Sequence, residues 1–368
     1  MRFPEFGKPY TNTTISKLAT IVGGGTPDTT VQEYWNGGIQ WFTPSEIGKN
    51  KYIDKSERTI TQDGLNNSSA KVLPINTILL STRATIGESS IAKTECCTNQ
   101  GFQSLIANEE ITCYEYLYYL VATLKKELIR KSCGSTFLEI SANEVRKIKT
   151  FIPSLEEQRK VASLLALLDE RIATQIKIIE DLKKLKSAIR ARVFKQLESN
   201  CECWTEIGNM LQYEQPSKYL VASTEYSDSY ATPVLTANKA FILGYTDEEF
   251  GIYSKGECVI FDDFTMDVKF VNFPFKVKSS AIKILTANSG YDLYFVYEYL
   301  QNLGLVSEEH KRHYISEIEP MIVACPTFEE QQNISKLLRS FDNKIECANR
   351  ELTLYNKQKQ YLLSQMFI

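Results

Sequence analysis

The sequence predicts an α+β protein with two mixed α/β domains separated by two long helices, which form an antiparallel intramolecular coiled coil with an internal pseudo-two-fold axis. The first observation behind this fold class is a duplication, because residues 152–194 align without a gap with residues 325–367. The second is an apolar repeat of about 3.5 residues in both copies, the seam period of a left-handed coiled coil. The third is a strand-rich pattern before each helix. A repeat of this size indicates two copies of one unit.

The boundaries of the units follow from the repeat. We predict domain 1 at residues 1–153, a first spacer helix at 154–199, domain 2 at residues 200–325 and a second spacer helix at 326–368. Because one such helix cannot bury its apolar stripe alone, its expected partner is the other copy in the same chain. The coil then acts as a spacer that separates the two domains.

Both domains contain strand-like runs, at 38–42, 75–81, 256–261 and 281–285, and a helix near the end, at 114–131 and 291–304. Fainter repeats link the domains to each other. Thr43-Pro44 matches Thr232-Pro233, residues 75–87 match 255–267, and residues 137–141 match 313–316. The two domains are therefore predicted to share one fold with diverged surfaces, as expected of two recognition modules with different targets.

The start of each long helix is marked in the same way in both copies. Pro153 and Pro326 stand just before the helix, where a missing N–H is tolerated. A hydroxyl residue follows, with a glutamate three residues later, which is the pattern of a capping box. These pairs are Ser154 with Glu157 and Thr327 with Glu330.

The seam of the predicted coil keeps its phase in both copies. It comprises Leu165, Leu168, Ile172, Ile176, Ile179, Leu182, Leu185, Ile189 and Val193 in the first helix, and Leu338, Phe341, Ile345, Asn349, Leu352, Tyr355, Gln358, Leu362 and Met366 in the second. Asn349 and Gln358 are its polar breaks. A buried polar seam residue sets register, whereas a solvated one marks a looser part of the seam, and the sequence leaves both interpretations open.

Composition places the chain among ordinary globular proteins, with 43% hydrophobic and 24% charged residues and a net charge of −3. No apolar run reaches the length of a membrane span, and the first residues do not form a leader peptide, so we expect a cytoplasmic protein with reduced thiols. Cys201 and Cys203 with His310 and His313 could form a Cys2His2 metal site, but their spacing matches no standard zinc motif. We therefore predict free thiols and no metal.

Several phrases of the sequence resemble the specificity (S) subunit of type I restriction–modification enzymes. They are the P-x-x-E-E-Q helix start, WFTPSEIG, LLSTRATIG, TNQGFQSL and GSTFLEIS, together with the duplicated helices. The resemblance implies that the chain binds double-stranded DNA and that each target-recognition domain reads one half of a split asymmetric sequence. It also implies that the helices bind two methyltransferase (M) subunits, which restriction/translocase (R) subunits join. The endonuclease and adenine methyltransferase activities, with S-adenosylmethionine, ATP and Mg²⁺, would then belong to the partners, and this chain would hold no cofactor.

The residues themselves also favour a non-enzyme. There is no phosphate-binding G-x-x-x-x-G-K-[ST] loop and no G-x-G-x-x-G after a strand. The Gly23-Gly24-Gly25 run precedes Thr-Pro and is predicted to be a flexible turn. Neither histidine has a nucleophile nearby in the sequence, so no triad is proposed. The alternatives are a fused restriction/methylation enzyme and a coiled-coil adaptor that binds only proteins.

Candidate DNA contacts are chosen by residue type. Arg and Lys bind guanine, Asn and Gln bind adenine, and Thr methyl groups contact thymine. The candidates in domain 1 are Thr43, Ser45, Arg83, Thr85, Gln100, Gln103, Ser135 and Thr136, and those in domain 2 are Thr236, Asn238, Lys239, Thr265, Lys269, Lys311, Arg312 and His313. No catalytic residue is predicted. The basic stretch 183–195 is either a solvated face of the coil or a contact to phosphates or to a partner.

Overall fold

The structure is a computed structural model, and it describes residues 2–134, 138–236, 241–307 and 312–367. The chain divides into unit 1 (Met1–Gln175 and Glu351–Ile368) and unit 2 (Ile176–Arg350). Each unit contains one mixed α/β domain and a segment of each long helix. The predicted fold class, two mixed α/β domains with two long helices, is confirmed. No helix in the described ranges is long and apolar enough to cross a membrane.

Domain 1 is built mainly from short strands. The strands are β1 (Thr11–Thr14), β2 (Ala19–Gly23), β3 (Trp35–Phe42), β4 (Tyr52–Ile53), β5 (Arg58–Ile60), β6 (Ile78–Leu80), β7 (Ser89–Ala92), β8 (Cys96–Thr98), β9 (Gln103–Ala107) and β10 (Lys149–Ile152). The helices are α1 (Ile15–Leu18), α2 (Gln62–Asn66), α3 (Tyr114–Thr123), α4 (Lys125–Arg130) and α5 (Ala142–Lys147), followed by the long α6 (Leu155–Asn200). The predicted helix at 114–131 is present as α3 and α4.

The strands of domain 1 form a five-stranded sheet, β2-β9-β6-β7-β4, a three-stranded sheet, β5-β3-β8, and an antiparallel ribbon, β1-β10. The main core of unit 1 joins the larger sheet to α3 and to both long helices. It includes Ile78, Leu105, Leu117, Leu165 and Met366, all at most 3% exposed. The ribbon lies where the chain enters and leaves the domain, so it connects the domain to α6.

Domain 2 repeats this plan with different strand lengths. Its strands are β11 (Trp204–Glu206), β12 (Leu211–Glu214), β13 (Thr232–Leu235), β14 (Ile242–Thr246), β15 (Cys258–Asp262), β16 (Val268–Val271), β17 (Lys276–Val277), β18 (Ile282–Ala287) and β19 (Ile322–Ala324), and its helices are α7 (Ile207–Met210) and α8 (Leu293–Asn302), followed by the long α9 (Phe328–Met366). The sheets are β12-β18-β15-β16 and β14-β13-β17, with the ribbon β11-β19. The core of unit 2 packs α8 against Phe194 of α6 and Leu338 of α9.

The hydrogen bonds and strand pairing correct the register of all three predicted matches between the domains. Asn99 N donates to Phe42 O and Lys278 N donates to Leu235 O, at equivalent places in the smaller sheets. Thr43 therefore corresponds to Thr236 and not to Thr232. The predicted match of 75–87 with 255–267 joins the equivalent hairpins but is out of register by one residue, because Ile78 pairs with Leu105 as Val259 pairs with Leu285.

The third match is out of register by two residues. Ile140 N donates to Thr82 O as His313 N donates to Asp263 O, so Ile140 corresponds to His313. In domain 2 a π-helical turn, Tyr314–Ile318, stands where domain 1 has α5.

The capping box is present at only one of the two long helices. At α9, Thr327 N donates to Glu330 Oε2 at 3.0 Å and Glu330 N donates to Thr327 Oγ1 at 3.4 Å. At α6, Glu157 N bonds Ser154 Oγ, but the Glu157 carboxylate accepts from Arg2 Nε and Nη2 at 2.8 and 2.7 Å. A long-range ion pair has replaced the predicted local bond, which sequence spacing could not indicate.

Within each unit the two long helices run in opposite directions. In unit 1, Asp169 pairs with Lys359 at 2.6 Å and Gln175 bonds Glu351 at 3.0 Å. Residue numbers therefore increase along α6 while those of the contacting residues on α9 decrease. In unit 2, Lys186 pairs with Asp342 at 2.6 Å. These two ion pairs use duplicated positions, because Asp169 matches Asp342 and Lys186 matches Lys359 in the repeat.

Each Asp–Lys pair also connects its helices to the adjoining domain. Tyr119 of α3 donates its hydroxyl to Asp169 Oδ2 at 2.6 Å, and Tyr294 of α8 donates to Asp342. Burial and the neighbouring carboxylate raise the pKa of both phenols, so both stay protonated as donors. Each unit thus has the same Lys–Asp–Tyr junction between domain and helices.

The predicted seam is only partly buried. Leu165, Leu338 and Met366 lie in the core, but Ile176 and Leu185 are 43% and 50% exposed. A straight α-helix drifts away from a 3.5-residue repeat, so some positions of the stripe rotate off the contact. Asn349 and Gln358 are exposed, and Asn349 donates to Ile345 O of its own helix, which favours the solvated interpretation of these breaks.

Candidate nucleic-acid interface

Three loops of domain 1 meet at one rim of the domain. The hairpin between β6 and β7 carries Arg83 and Thr85, both exposed. Thr85 Oγ1 donates to Pro44 O at 3.4 Å, and Thr82 N donates to Gly101 O at 2.8 Å. The structure therefore brings the candidates Thr43, Ser45, Arg83, Thr85 and Gln100 onto neighbouring loops, which we call the domain 1 rim.

The side chains of the rim are held by neighbours, which determines which of them are available to DNA. Arg83 Nε pairs with Glu139 Oε1 at 2.9 Å while the two side chains remain 45% and 42% exposed. Thr43 begins a short 3-10 turn, Pro44–Glu46, and bonds Glu46 Oε2 at 2.6 Å through both its N–H and its hydroxyl. Arg83 is thus oriented and accessible, whereas the polar atoms of Thr43 are already used.

Gln100 and Gln103 differ in position. Gln100 is exposed and accepts a hydrogen bond from Thr26. Gln103 lies on β9 opposite Gly23 and is half-buried. Sequence reasoning missed Thr26, Glu46 and Glu139 as supports of the rim. Only Glu46 carried a readable signal, because Thr43-x-x-Glu46 is itself a capping-box pattern.

The Gly23-Gly24-Gly25 run is packed and is not the predicted flexible turn. A Cβ on Gly24 would lie 2.0 Å from Asn99 O, and one on Gly25 would lie 2.3 Å from Ala70 N. Gly25 N also donates to Thr98 O at 2.8 Å. Gly24 and Gly25 are required because a Cβ at either position would collide with neighbouring backbone, that of the loop carrying Gln100 in the case of Gly24.

Replacing Gly24 by alanine is expected to destabilise domain 1 by about 1–3 kcal/mol, because the added methyl group clashes with backbone that cannot move aside. Gly38→Ala is the matched control, since a Cβ at that position meets nothing within 4 Å. Urea unfolding of both variants tests this. Equal stability of the two variants would contradict the packing argument.

In domain 2 the equivalent hairpin, between β15 and β16, presents different residues. Asp262 Oδ1 accepts from Phe264 N at 2.8 Å and from Thr265 N at 3.2 Å, and Thr265 is exposed at the tip. Arg312 is exposed next to the segment that this hairpin contacts, and Lys269 is exposed on the edge strand β16. These three candidates remain accessible.

Two candidates of domain 2 are not accessible as direct DNA contacts. His313 is 2% exposed and Thr236 is 7% exposed. The His313 ring lies 2.9 Å from Ser307 Oγ and 3.0 Å from Glu317 Oε2, and the backbone N–H of His313 donates to Asp263 Oδ1 at 3.0 Å. His313 is therefore a buried structural residue, and the fold brings the Ser307 hydroxyl beside its ring.

Five candidates, Ser135, Thr136, Asn238, Lys239 and Lys311, lie outside the described residues. His310 does too, so the predicted Cys2His2 alternative cannot be drawn in full. Among the residues that the structure does describe, no group of three or more His, Cys, Asp or Glu side chains is arranged to hold a metal ion.

The basic stretch 183–195 is divided between the interior and the surface of unit 2. Lys186 and Arg190 turn inward to the fully buried Glu298, at 2.6 and 3.3 Å. Lys183, Lys184, Arg192 and Lys195 are exposed. The interpretation of the whole stretch as one outer face is therefore wrong for the two inward residues.

Unit 1 carries an open groove of about 680 Å³ between α6 and α9, lined by Leu164, Leu167, Leu168, Arg171, Tyr355 and Leu362 among others. Leu167 is 61% exposed beside it. An apolar helical groove of this kind suits the side chains of a partner helix.

Comparison with known proteins finds one family that resembles the first half of the chain. Residues 8–184 match the family described as "Type I restriction modification DNA specificity domain". The chain is 38% identical over 175 residues to the type I restriction enzyme MjaIX specificity subunit of Methanocaldococcus jannaschii, over 46% of this chain and 40% of the relative. It is 40% identical over 176 residues to the EcoR124I/EcoR124II specificity subunit of Escherichia coli, over 44% of each chain. These alignments span less than half the length of either relative.

Solved structures extend the likeness of fold to the whole chain. The type I restriction–modification S subunit from M. genitalium superposes with a TM-score of 0.61 at 16% identity, covering 100% of this chain and 97% of the other. A chain from a structural study of complex assembly and conformational transition in the type I system gives 0.61 at 15% identity, covering 98% of both. Residues 8–184 thus match the family model of type I restriction–modification DNA specificity domains, and the chain as a whole shares its fold with these two solved chains.

Proposed function

We propose that the chain is a non-catalytic, sequence-specific DNA-binding subunit of a type I restriction–modification system. The observation that carries the proposal is the domain 1 rim, which lies in the part of the chain that matches the DNA specificity family. Its exposed arginine, threonine, serine and glutamine side chains are the types that contact base edges in the major groove. A rigid scaffold with polar loops at one rim is suited to reading DNA.

Domain 1 (residues 1–153) and domain 2 (residues 200–325) would each read one half of a bipartite asymmetric target. The support is that both have equivalent hairpins with different tip residues. Arg83 of domain 1 corresponds to Phe264 of domain 2, because Thr82 and Asp263 make equivalent backbone bonds. Arg83 offers a bidentate donor to guanine, whereas Phe264 offers an apolar surface. One scaffold with two different tips favours two different half-sites.

The long helices would bind two methyltransferase (M) subunits, and restriction/translocase (R) subunits would join this complex. The apolar groove beside Leu167 in unit 1 and the exposed Leu337 of α9 in unit 2 supply partly unburied surface for such partners. S-adenosylmethionine, ATP and Mg²⁺ would be bound by these partners, and the assembly would act in the cytoplasm.

A gel-shift experiment with a pool of bipartite random DNA, with and without an M subunit, tests the function. Selection of two short conserved blocks separated by an unconserved gap supports the proposal. Cleavage or methylation by the purified chain alone would instead support the fused-enzyme alternative. Binding of M subunits without any DNA preference would support the adaptor alternative.

Arg83→Ala is expected to weaken binding by about 1–3 kcal/mol and to relax the preference at one base pair, which is the usual loss for one base-reading arginine. Stability is expected to change little, since exposed ion pairs such as Arg83–Glu139 contribute about 1 kcal/mol or less. Arg130→Ala is the control, because Arg130 is 76% exposed on α4. Binding-site selection with each variant measures the affinity and the base preference. Equal effects of Arg83→Ala and Arg130→Ala would refute base reading by Arg83.

A further inference from the structure

Three cysteines converge where the chain enters and leaves domain 2. Cys325 N donates to Cys203 O at 2.8 Å, and Cys201 Sγ lies 3.1 Å from the same oxygen. The ribbon β11-β19 pairs Trp204 with Ala324 in antiparallel register. One step further along this ladder, Cys203 is opposite Cys325, so both side chains are on the same face of the ribbon.

The backbone at this pair suits a disulfide. Cys203 and Cys325 make one of the two backbone bonds of an antiparallel hydrogen-bonded pair, and the Cα atoms of such a pair are about 5.5 Å apart, within the usual range for bridged cysteines. Cys201 is less well placed as a partner, because its N–H continues α6 by donating to Leu197 O at 2.8 Å. All nine cysteines of the structure are free.

The two thiols differ in a way that separates their roles. Cys203 is exposed, whereas Cys325 is partly buried. Burial first, and then the charges of Cys203 and Cys201, raise the pKa of Cys325. Oxidation therefore begins at Cys203, because accessible thiols react with peroxides before sheltered ones.

We propose that Cys203 and Cys325 are a peroxide-sensitive thiol pair that forms a reversible disulfide at the end of the ribbon β11-β19, where the chain enters and leaves domain 2. The Cys203 thiolate attacks one oxygen of hydrogen peroxide, the O–O bond breaks, and the departing hydroxide takes up the thiol proton as water, which leaves a sulfenic acid on Cys203. The Cys325 sulfur then attacks the Cys203 sulfur, the S–O bond breaks, and the hydroxide leaves with the Cys325 proton as a second water. Two thiols are oxidised by two electrons and one peroxide is reduced. Thiols of the glutathione class reverse the bond by exchange.

The bond joins the two strands through which domain 2 is connected to the ends of α6 and α9 in unit 2. It is specific to this domain, because the equivalent residues at the ribbon of domain 1 are the paired Thr11 and Ile152. The expected consequence is a stiffer ribbon, with fewer local openings between β11 and β19. This inference is independent of the proposed DNA-binding function.

Treatment of the reduced full-length chain with hydrogen peroxide, followed by alkylation and peptide mapping, tests the bond. The expected product is a Cys203–Cys325 cross-linked peptide, two hydrogen atoms lighter than its parts and lost after reduction. Amide hydrogen exchange in residues 204–206 and 322–324 should slow by about tenfold or more in the oxidised chain, because local opening of the ribbon governs this exchange. Exchange at residues 11–14 and 149–152, in the ribbon of domain 1, should stay the same.

Matched variants complete the experiment. Cys203→Ser and Cys325→Ser should each abolish the cross-link and the exchange change, whereas Cys201→Ser and Cys347→Ser should keep both. A Cys201–Cys203 bridge, overoxidised Cys203 with Cys325 still reduced, or a cross-link without slower exchange would each overturn the proposal.

Discussion

Replacing Glu298 by alanine is expected to lower the free energy of unfolding of unit 2 by about 3–5 kcal/mol, the usual loss when one partner of a buried ion pair is removed. Glu298 is 0% exposed on α8 and lies 2.6 Å from Lys186 Nζ and 3.3 Å from Arg190 Nη1. Both cations are themselves largely buried, at 12% and 19% exposure. Without the carboxylate, Arg190 loses the Glu298 ion pair in the interior, and Lys186 keeps Asp342 and Tyr294.

The matched control is Glu346→Ala. Glu346 pairs with Arg350 on the surface of α9, with both side chains about 70% exposed, and its removal should cost about 0.5 kcal/mol or less. Glu298→Gln should lie between the two, because it keeps hydrogen-bond acceptance and loses the charge. Urea unfolding followed by circular dichroism measures all three variants. A loss for Glu298→Ala no larger than that for Glu346→Ala would show that this junction does not stabilise unit 2.

Local rules of the sequence predicted the long helices well. The duplicated Pro-x-x-Glu-Glu-Gln start and the apolar repeat placed α6 and α9 within a few residues of their ends, since both signals act over a few turns. The strand-like runs were also found, because buried strands are short and apolar. Duplication itself pointed to Asp169/Asp342 and Lys186/Lys359, which the structure joins into one ion pair in each unit.

Long-range contacts could not be predicted in the same way. The partner of Glu157 is Arg2, far away in the sequence, and this pairing displaced the expected local cap. The burial of His313 depends on Asp263 and Ser307, which only the folded domain brings near. For both Glu157 and His313, the partners of the side chain are determined by tertiary packing, which sequence spacing does not reveal.

Among the described residues, more of the candidates are exposed in domain 1 than in domain 2. In domain 1 the candidates lie on loops that follow recognisable strands, so their meeting at one rim follows from the sheet. In domain 2, Thr236 and His313 were chosen by type and proved to be buried. Residue type alone does not distinguish a base-reading side chain from one that stabilises a loop.

Exchange of domain 2, residues 200–325, for the corresponding segment of a relative is expected to change one half of the recognised sequence and leave the other half unchanged. Each mismatched base pair costs about 1–3 kcal/mol, so several mismatches in one half-site would abolish binding to the original target. The new chain should select the relative's half-site together with the original half read by domain 1. Binding-site selection on randomised DNA measures both halves at once.

The exchange has a structural condition that follows from the core of unit 2. Phe295, Glu298 and Tyr299 of α8 contact residues of the long helices that are not exchanged, among them Phe194, which lies 4.6 Å from Tyr299 between ring centroids. A donor segment that keeps these α8 side chains should give a folded chain, whereas one that replaces Glu298 with an apolar residue should be destabilised for the reason argued above. The comparison to make is therefore between two exchange variants from the same donor, one that keeps Phe295, Glu298 and Tyr299 and one that also carries Glu298→Ala. If a folded exchange variant changed both half-sites together, the assignment of one half-site to each domain would be refuted, because domain 1 and its rim are identical in the two chains.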